Sequence, residues 1–354
     1  MTLQRRQFVQ SLSLGAATVG SAAAGAVSPA ETRAVVWPTL LAPRLRPGDT
    51  LGLVSPANAT YEREPMQIAI EALQALGFKV KVGAHARARY GHFAGTDAQR
   101  ASDINNFFAD DGVSGLMAVT GGSGCNRIID KLDYALIRAR PKFFGGFSDL
   151  TALVNGIQRQ TGLVTFHCPV AESEWNDFSV SHFKSMVMQA HATLLRNPDA
   201  ERGDNLVQTQ DRITTLRPGK ARGRLVGGNL SVLASLAGSS YMPDFRGGLL
   251  FLEEVNEYIY RVDRLLSTLR LCGALDGLAG VVIGKFTKCE PGEGKYGTLT
   301  LDEVFDDYFL PLNVPVFRGA MIGHIRRKFT IPVGLDVEMD ADAGTLQLLG
   351  PAVL

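Results

Sequence analysis

Between Arg44 and Pro169, short apolar runs alternate with amphipathic stretches, and this pattern constrains the chain more than any other. TLGLVSPAN (50–58), FKVKVG (78–83), GLMAVTGG (115–122), KFFGGF (142–147) and LVTFHCP (163–169) each read as a strand. Pro65 opens a helix with Met66, Ala69, Leu73 and Leu76 at helical spacing, and Gly77 stops it. Thr96 stands as N-cap to a helix over 96–110, and NRIIDKLDYALIRAR (126–140) predicts another. A fourth, DLTALVNGIQRQTG (149–162), carries Leu150, Leu153, Val154 and Ile157 on one face. Apolar strands alternating with such helices predict an α/β fold, a parallel sheet covered on both faces. Such sheets bind ligands at the carboxyl ends of their strands. Three polar or glycine-rich turns fall there, at 55–58, 121–126 and 145–149.

The second half reads differently. A stretch rich in Pro, Asp, Arg and Gln (196–211) breaks the alternation and serves as a linker. Beyond it strands dominate: RGRLVGGNL (222–230), GLLFLEEV (248–255), AGVVIGKF (279–286) and a hairpin over 336–349 turning near Ala343 and Gly344. One helix, at 262–271, interrupts them. The chain therefore divides into a signal-like start (1–26), a tether (27–43), a parallel-sheet domain (44–195), the linker (196–211) and a β-rich domain (212–354). Its 354 residues suit two domains.

Lys and Arg number 36 against 35 Asp and Glu, a formal charge of +1. Nothing here argues for nucleic acid as a partner, which needs a basic excess. Arg5 and Arg6 precede a weakly apolar Ala/Gly-rich stretch and a small-residue AGA site at 24–26. Together these resemble a twin-arginine export signal, with a disordered basic start as the alternative. No other segment reaches the ~18 apolar residues that span a bilayer. The expectation is a periplasmic protein with no stable membrane insertion once the signal is removed. Cys125, Cys168, Cys272 and Cys289 match no zinc spacing, and Cys272 is expected in the core.

GGSGCNR (121–127) is half of a dinucleotide fingerprint, without the third glycine. Its glycines can instead expose N–H groups to an anion or a developing oxyanion, or simply make a tight turn. Ser148 sits where a strand turns into a helix. It can cap that helix, or it can be a nucleophile held on a tight turn, with Asp149 N–H aimed at the reacting oxygen. A serine nucleophile needs a base and an orienting acid. Of six histidines, His182 and His191 are expected to face solvent, while His324 suits an ordered loop. Glu253 and Glu254 close a strand, and alternation sends them to opposite faces. No H-E-x-x-H or comparable spacing predicts a metal.

In this order, GGSGCNRIIDKLDY, GGFSDLTAL, TFHCP, GRLVGGNLSVLASLAGS, LLFLEEVNEYIYRVDRLL and RGAMIGHIRRKFTIPVG resemble the LD-carboxypeptidase family of serine peptidases, which includes the microcin C self-resistance peptidases. The resemblance covers nearly everything from Arg44 to Leu354. It implies a Rossmann-like parallel-sheet N-terminal domain and a β-rich, barrel-like C-terminal domain, with the site between them in a homodimer. It implies Ser148 as nucleophile, His324 as base and Glu253 as triad acid, with an oxyanion hole from Asp149 and Gly122. Gly121, Ser123, Arg127 and His167 are then expected around the substrate, Arg127 as the candidate for its free carboxylate. The implied activity is release of terminal D-alanine from a murein tetrapeptide, without cofactor or metal. Two departures bear on substrate choice: Ser123 stands where the family usually has Tyr, and Cys168 interrupts its H-G-P element. Rival readings are a hydrolase of another peptide-like amide of microcin C type, a cysteine hydrolase using Cys125, and a catalytically silent muropeptide-binding protein.

Overall fold

Five apolar runs of the first half become parallel strands: β1 (Thr50–Val54), β2 (Lys79–Val82), β3 (Gly115–Ala118), β4 (Phe143–Gly146) and β5 (Thr165–His167). The structure is a computed structural model, and it describes residues 37–198, 204–292 and 298–354. The export signal expected at 1–26 lies outside the described residues. Helices α1 (Arg63–Ala75), α2 (Asp97–Ala109), α3 (Tyr134–Ala139) and α4 (Thr151–Thr161) connect these strands. Thr96 caps α2 in a reciprocal box with Gln99, as its sequence context predicts. The segment 126–140 is not one helix. Two short 3₁₀ turns occupy 125–127 and 129–131, Leu132 is extended, and Asp133 restarts the chain by accepting the Leu136 N–H at 2.9 Å.

After α5 (Asp177–Phe183), the other strands are β6 (Leu194–Arg196), β7 (Thr214–Arg217), β8 (Lys220–Asn229), β9 (Leu249–Val255), β10 (Gly280–Thr287), β11 (Val316–Arg318), β12 (Ile331–Val333), β13 (Asp336–Asp340) and β14 (Thr345–Leu348). The first sheet runs β12-β5-β4-β3-β1-β2 and the second β6-β14-β13-β8-β9-β10-β11-β7. Sheet membership departs from the expected domain division at two strands. β6 precedes the linker yet pairs with β14, and β12 from the second half closes the first sheet against β5. The strand-rich second half also has a parallel centre, β8 to β11, crossed by α6 (Leu230–Ala234), α7 (Ile259–Leu271) and α8 (Leu301–Phe309). The reading of that half as strands with one helix omits α8, although Thr300 and Glu303 form a capping box.

Alternation along β9 decides what each residue meets. Leu249 and Phe251 enter the core shared with the first sheet, whereas Leu250 and Leu252 enter a second core with α6, α7 and α8. Each such fully buried side chain contributes about 1.5–3 kcal/mol of transfer free energy, so a one-residue slip of β9 is strongly disfavoured. The same parity sends Glu253 toward the first sheet and Glu254 toward α6. There Glu254 accepts from Asn229 Nδ2 at 2.9 Å and Ser231 N–H at 2.8 Å.

Both expected connectors are anchored. In the tether, Leu40 exchanges backbone hydrogen bonds with Gly162 and Val164, and Ala42 is fully buried. At the start of the linker, the Asn197 side chain donates to Asp211 O and Gly319 O and accepts from Met321 N–H at 3.1 Å. That fixes the loop leading to His324. Cys272, expected in the core, is exposed where α7 ends, and all four cysteines are free. His182, expected at the surface, is half-buried between Phe178 and Phe329, because α5 packs on the 328–330 segment.

Candidate active site

At the carboxyl end of β4 the chain turns at once into a helical turn, and Ser148 takes a φ of +65°. This left-handed conformation is rare for a residue other than glycine and marks a position held by its surroundings. The neighbouring turn after β3 approaches closely. A Cβ on Gly121 would lie 2.8 Å from Ser148 Cβ and 2.9 Å from Oγ, so a side chain has no room there. Across the cleft, His324 Nε2 is 3.0 Å from Ser148 Oγ, and His324 Nδ1 is 2.8 Å from Glu253 Oε2. Glu253 is fully buried, and Gly323 packs against its carboxylate.

Two junctions bring these distant residues together. Asn229, which pairs with Glu253 in the β8–β9 ladder, donates its N–H to Thr151 Oγ1 at 3.0 Å, and Asn155 donates to Gly227 O at 2.8 Å. The start of α4, and with it the Ser148 turn, is thereby fixed against β8. On the other side, Lys285 N–H donates to Ile322 O and Phe329 N–H to Met321 O, which closes the His324 loop.

The Asp149 and Gly122 N–H groups, the expected oxyanion donors, donate to no acceptor among the described residues. Asp149 itself is buried, which raises its pKa, and its Oδ2 accepts the Cys125 N–H at 2.8 Å. This contact ties the two turns together. Cys125 is no available thiol: burial, then the Asp149 charge, push it well above its ordinary value. Ser123 is exposed on the lip, its N–H donating to Asn58 Oδ1 at 3.1 Å.

Of the residues expected around the substrate, Arg127 has an ion-pair partner and His167 is enclosed by aromatic rings. Arg127 is committed to Asp97 through two bonds of 3.0 Å, Nε to Oδ1 and Nη2 to Oδ2. His167 is buried between Phe147 and Phe251 rather than facing the cleft, both ring nitrogens without a partner among the described residues. Burial lowers its pKa to about 4 and keeps it neutral. Two contributors escaped the sequence reading. The fully buried Arg100 side chain donates to Pro56 O, Gly124 O and Asp97, clamping the 56–58 loop to the 121–124 turn. Lys328 Nζ stands 3.9 Å above the Phe147 ring, beside His324. Only the mixed apolar and basic character of 324–330 hinted at it. Among the described residues, no three His, Cys, Asp or Glu side chains gather as a metal site.

A serine on a strained strand-to-helix turn, hydrogen-bonded to a histidine that is held by a buried carboxylate, is the arrangement serine hydrolases use. Profiles of the LD-carboxypeptidase N-terminal domain and C-terminal domain match residues 51–168 and 222–339. The chain belongs to the LD-carboxypeptidase family and is a peptidase. A probable murein peptide carboxypeptidase of Bacillus subtilis (strain 168) is 35% identical over 296 residues, 84% of this chain and 90% of that protein. The solved structure of MccF in complex with glutamyl sulfamoyl guanosine superposes with a TM-score of 0.79 at 26% identity, over 89% of this chain and 100% of that one. The muramoyltetrapeptide carboxypeptidase of Oxalobacter formigenes superposes with a TM-score of 0.70 at 27% identity, over 84% and 97%.

Proposed function

We propose that the chain is a serine LD-carboxypeptidase that releases terminal D-alanine from murein tetrapeptides. The observation that carries this is the continuous Ser148–His324–Glu253 array, with links of 3.0 and 2.8 Å. Ser148 Oγ attacks the carbonyl carbon on the L-side of the L–D amide bond while His324 Nε2 takes the hydroxyl proton. The tetrahedral oxyanion is met by Asp149 N–H, with Gly122 N–H as the second donor. Glu253 holds the imidazole in register and stabilises the imidazolium. His324 then gives its proton to the leaving amine, the C–N bond breaks, and water hydrolyses the acyl-serine by the same steps. D-alanine release by wild type and by Ser148→Ala tests the assignment. Wild-type turnover with none in the variant is expected, and activity retained by Ser148→Ala rejects it.

A second reading, hydrolysis of a peptidyl nucleotide of microcin C type, draws support from the superposition on MccF. A panel of tetrapeptide and microcin-type substrates separates the two by their kcat/KM. Arg5 and Arg6 support delivery to the periplasm, where peptidoglycan lies, and the family resemblance supports a homodimer. Recovery of unprocessed chain from the cytoplasm alone rejects the first, and a monomer in sedimentation rejects the second.

A further inference from the structure

A carboxypeptidase must recognise a free carboxylate one residue beyond the bond it cuts. Four cations stand on the 121–127 turn and the 324–330 segment, and three are taken: Arg127 by Asp97, Arg326, at 2.5 Å, by Glu174, and Arg327, at 2.5 Å, by Asp211. Lys328 differs. It is 7% exposed, and its ammonium has no hydrogen-bond or ion-pair partner among the described residues. With His324, Phe147 and Thr120 it lines a cavity of about 580 Å³. The Phe147 ring beneath Nζ offsets little of the cost of burying a charge, and Glu253 attracts it without contact. Burial lowers the ammonium to about 8, so it remains charged at neutral pH.

The chemistry of the leaving group points to the same wall. His324 Nε2 must protonate the departing amine, so the departing residue lies on the His324 side of Ser148, which is this cavity. In an α-amino acid the carboxylate oxygens lie about 3–4 Å from the amine nitrogen. The receptor must therefore sit beside the base, not on the glycine turn that receives the oxyanion.

We propose that Lys328 binds the free carboxylate of the leaving residue and so sets a requirement for a C-terminal acid, an inference resting on the peptidase reading above. The ammonium gains its missing anion only when substrate is bound, with the Phe147 face as its floor. A C-terminal carboxamide leaves it unpaired.

The test compares a murein tetrapeptide with its C-terminal carboxamide as substrates of wild type, Lys328→Met and Lys328→Gln. Wild type is expected to favour the acid by roughly 30-fold or more in kcat/KM. Both variants are expected to lose that preference, mainly through a higher KM for the acid, while the carboxamide is cut within about threefold of the wild-type rate. The carboxamide rate also reports folding, and Lys328→Gln keeps a donor should the apolar variant fail to fold. Equal handling of acid and amide by wild type, or an undiminished preference in either folded variant, overturns the Lys328 assignment alone. Release by wild type of neither D-alanine from the acid nor D-alaninamide from the amide overturns the murein carboxypeptidase reading with it.

Discussion

Gly121→Ala adds one methyl group beside Ser148, and its effect can be worked from distances. Gly121 has no left-handed φ, so alanine meets no backbone strain there. The new Cβ would instead lie 2.8 Å from Ser148 Cβ and 2.9 Å from Oγ, about 0.6 Å inside ordinary contact. Ser148 Cβ is fixed by its backbone at φ +65° and cannot swing clear. Relief must come from moving the seryl turn or rotating Oγ, and either carries Oγ off His324 Nε2. The present 3.0 Å separation then stretches past hydrogen-bond range. A misplacement approaching 1 Å costs on the order of 10²-fold in rate. Overpacking costs about 1–3 kcal/mol in stability. The expected result is a kcat lower by on the order of 10²-fold, KM within about threefold, and a small loss in urea midpoint. The rate of Ser148 labelling by a fluorophosphonate should fall in parallel, which reads the nucleophile without reference to substrate. Values of kcat and labelling rate within threefold of wild type would show that the Ser148 turn tolerates the added methyl group.

His167→Phe and Glu253→Gln probe the two buried groups behind Ser148 and His324. His167 has a folded pKa of about 4, depressed from 6.5 by burial. Its contribution is present above pH 6.5 and lost as the pH falls toward 4, about 3 kcal/mol in all. Phenylalanine fits between Phe147 and Phe251, so the wild-type loss of urea stability between pH 6.5 and 4 should shrink by that amount in His167→Phe. Equal losses in the two proteins would contradict it. Asp149 and Glu254, raised by burial, act with the opposite sign in both proteins and cancel in the comparison. Glu253→Gln keeps the shape of a fully buried side chain and removes the charge facing His324 Nδ1. A fall in kcat of roughly 10³- to 10⁴-fold, without loss of folding, is expected; a fall below tenfold argues against Glu253 as the orienting acid.

Much of this site was legible because its constraints are periodic. The strand–helix alternation put Ser148 and the Gly121 turn at the carboxyl ends of neighbouring strands β4 and β3. Period-2 alternation separated Glu253 from Glu254 before either partner was known. The break in 126–140 was not legible, because it depends on Asp133 preferring to cap a new turn over continuing the old one. Neither was the exchange of β6 and β12 between sheets, since three-residue edge strands carry too little pattern to announce a partner.

Local pattern along the chain dictates the parallel α/β start, the tight turns around Gly121 and Ser148, and the parity of the β9 carboxylates. Long-range packing settles which polar side chains are paired, enclosed or left without a partner. Arg127 pairs with Asp97, His167 is sealed between two rings, and Lys328 is buried beside His324 without an anion. Secondary-structure periods arise from local backbone geometry and are written into neighbouring residues. The pairing and burial of a charge depend on groups brought from far along the chain, and Lys328 meets Phe147 only after the chain has folded.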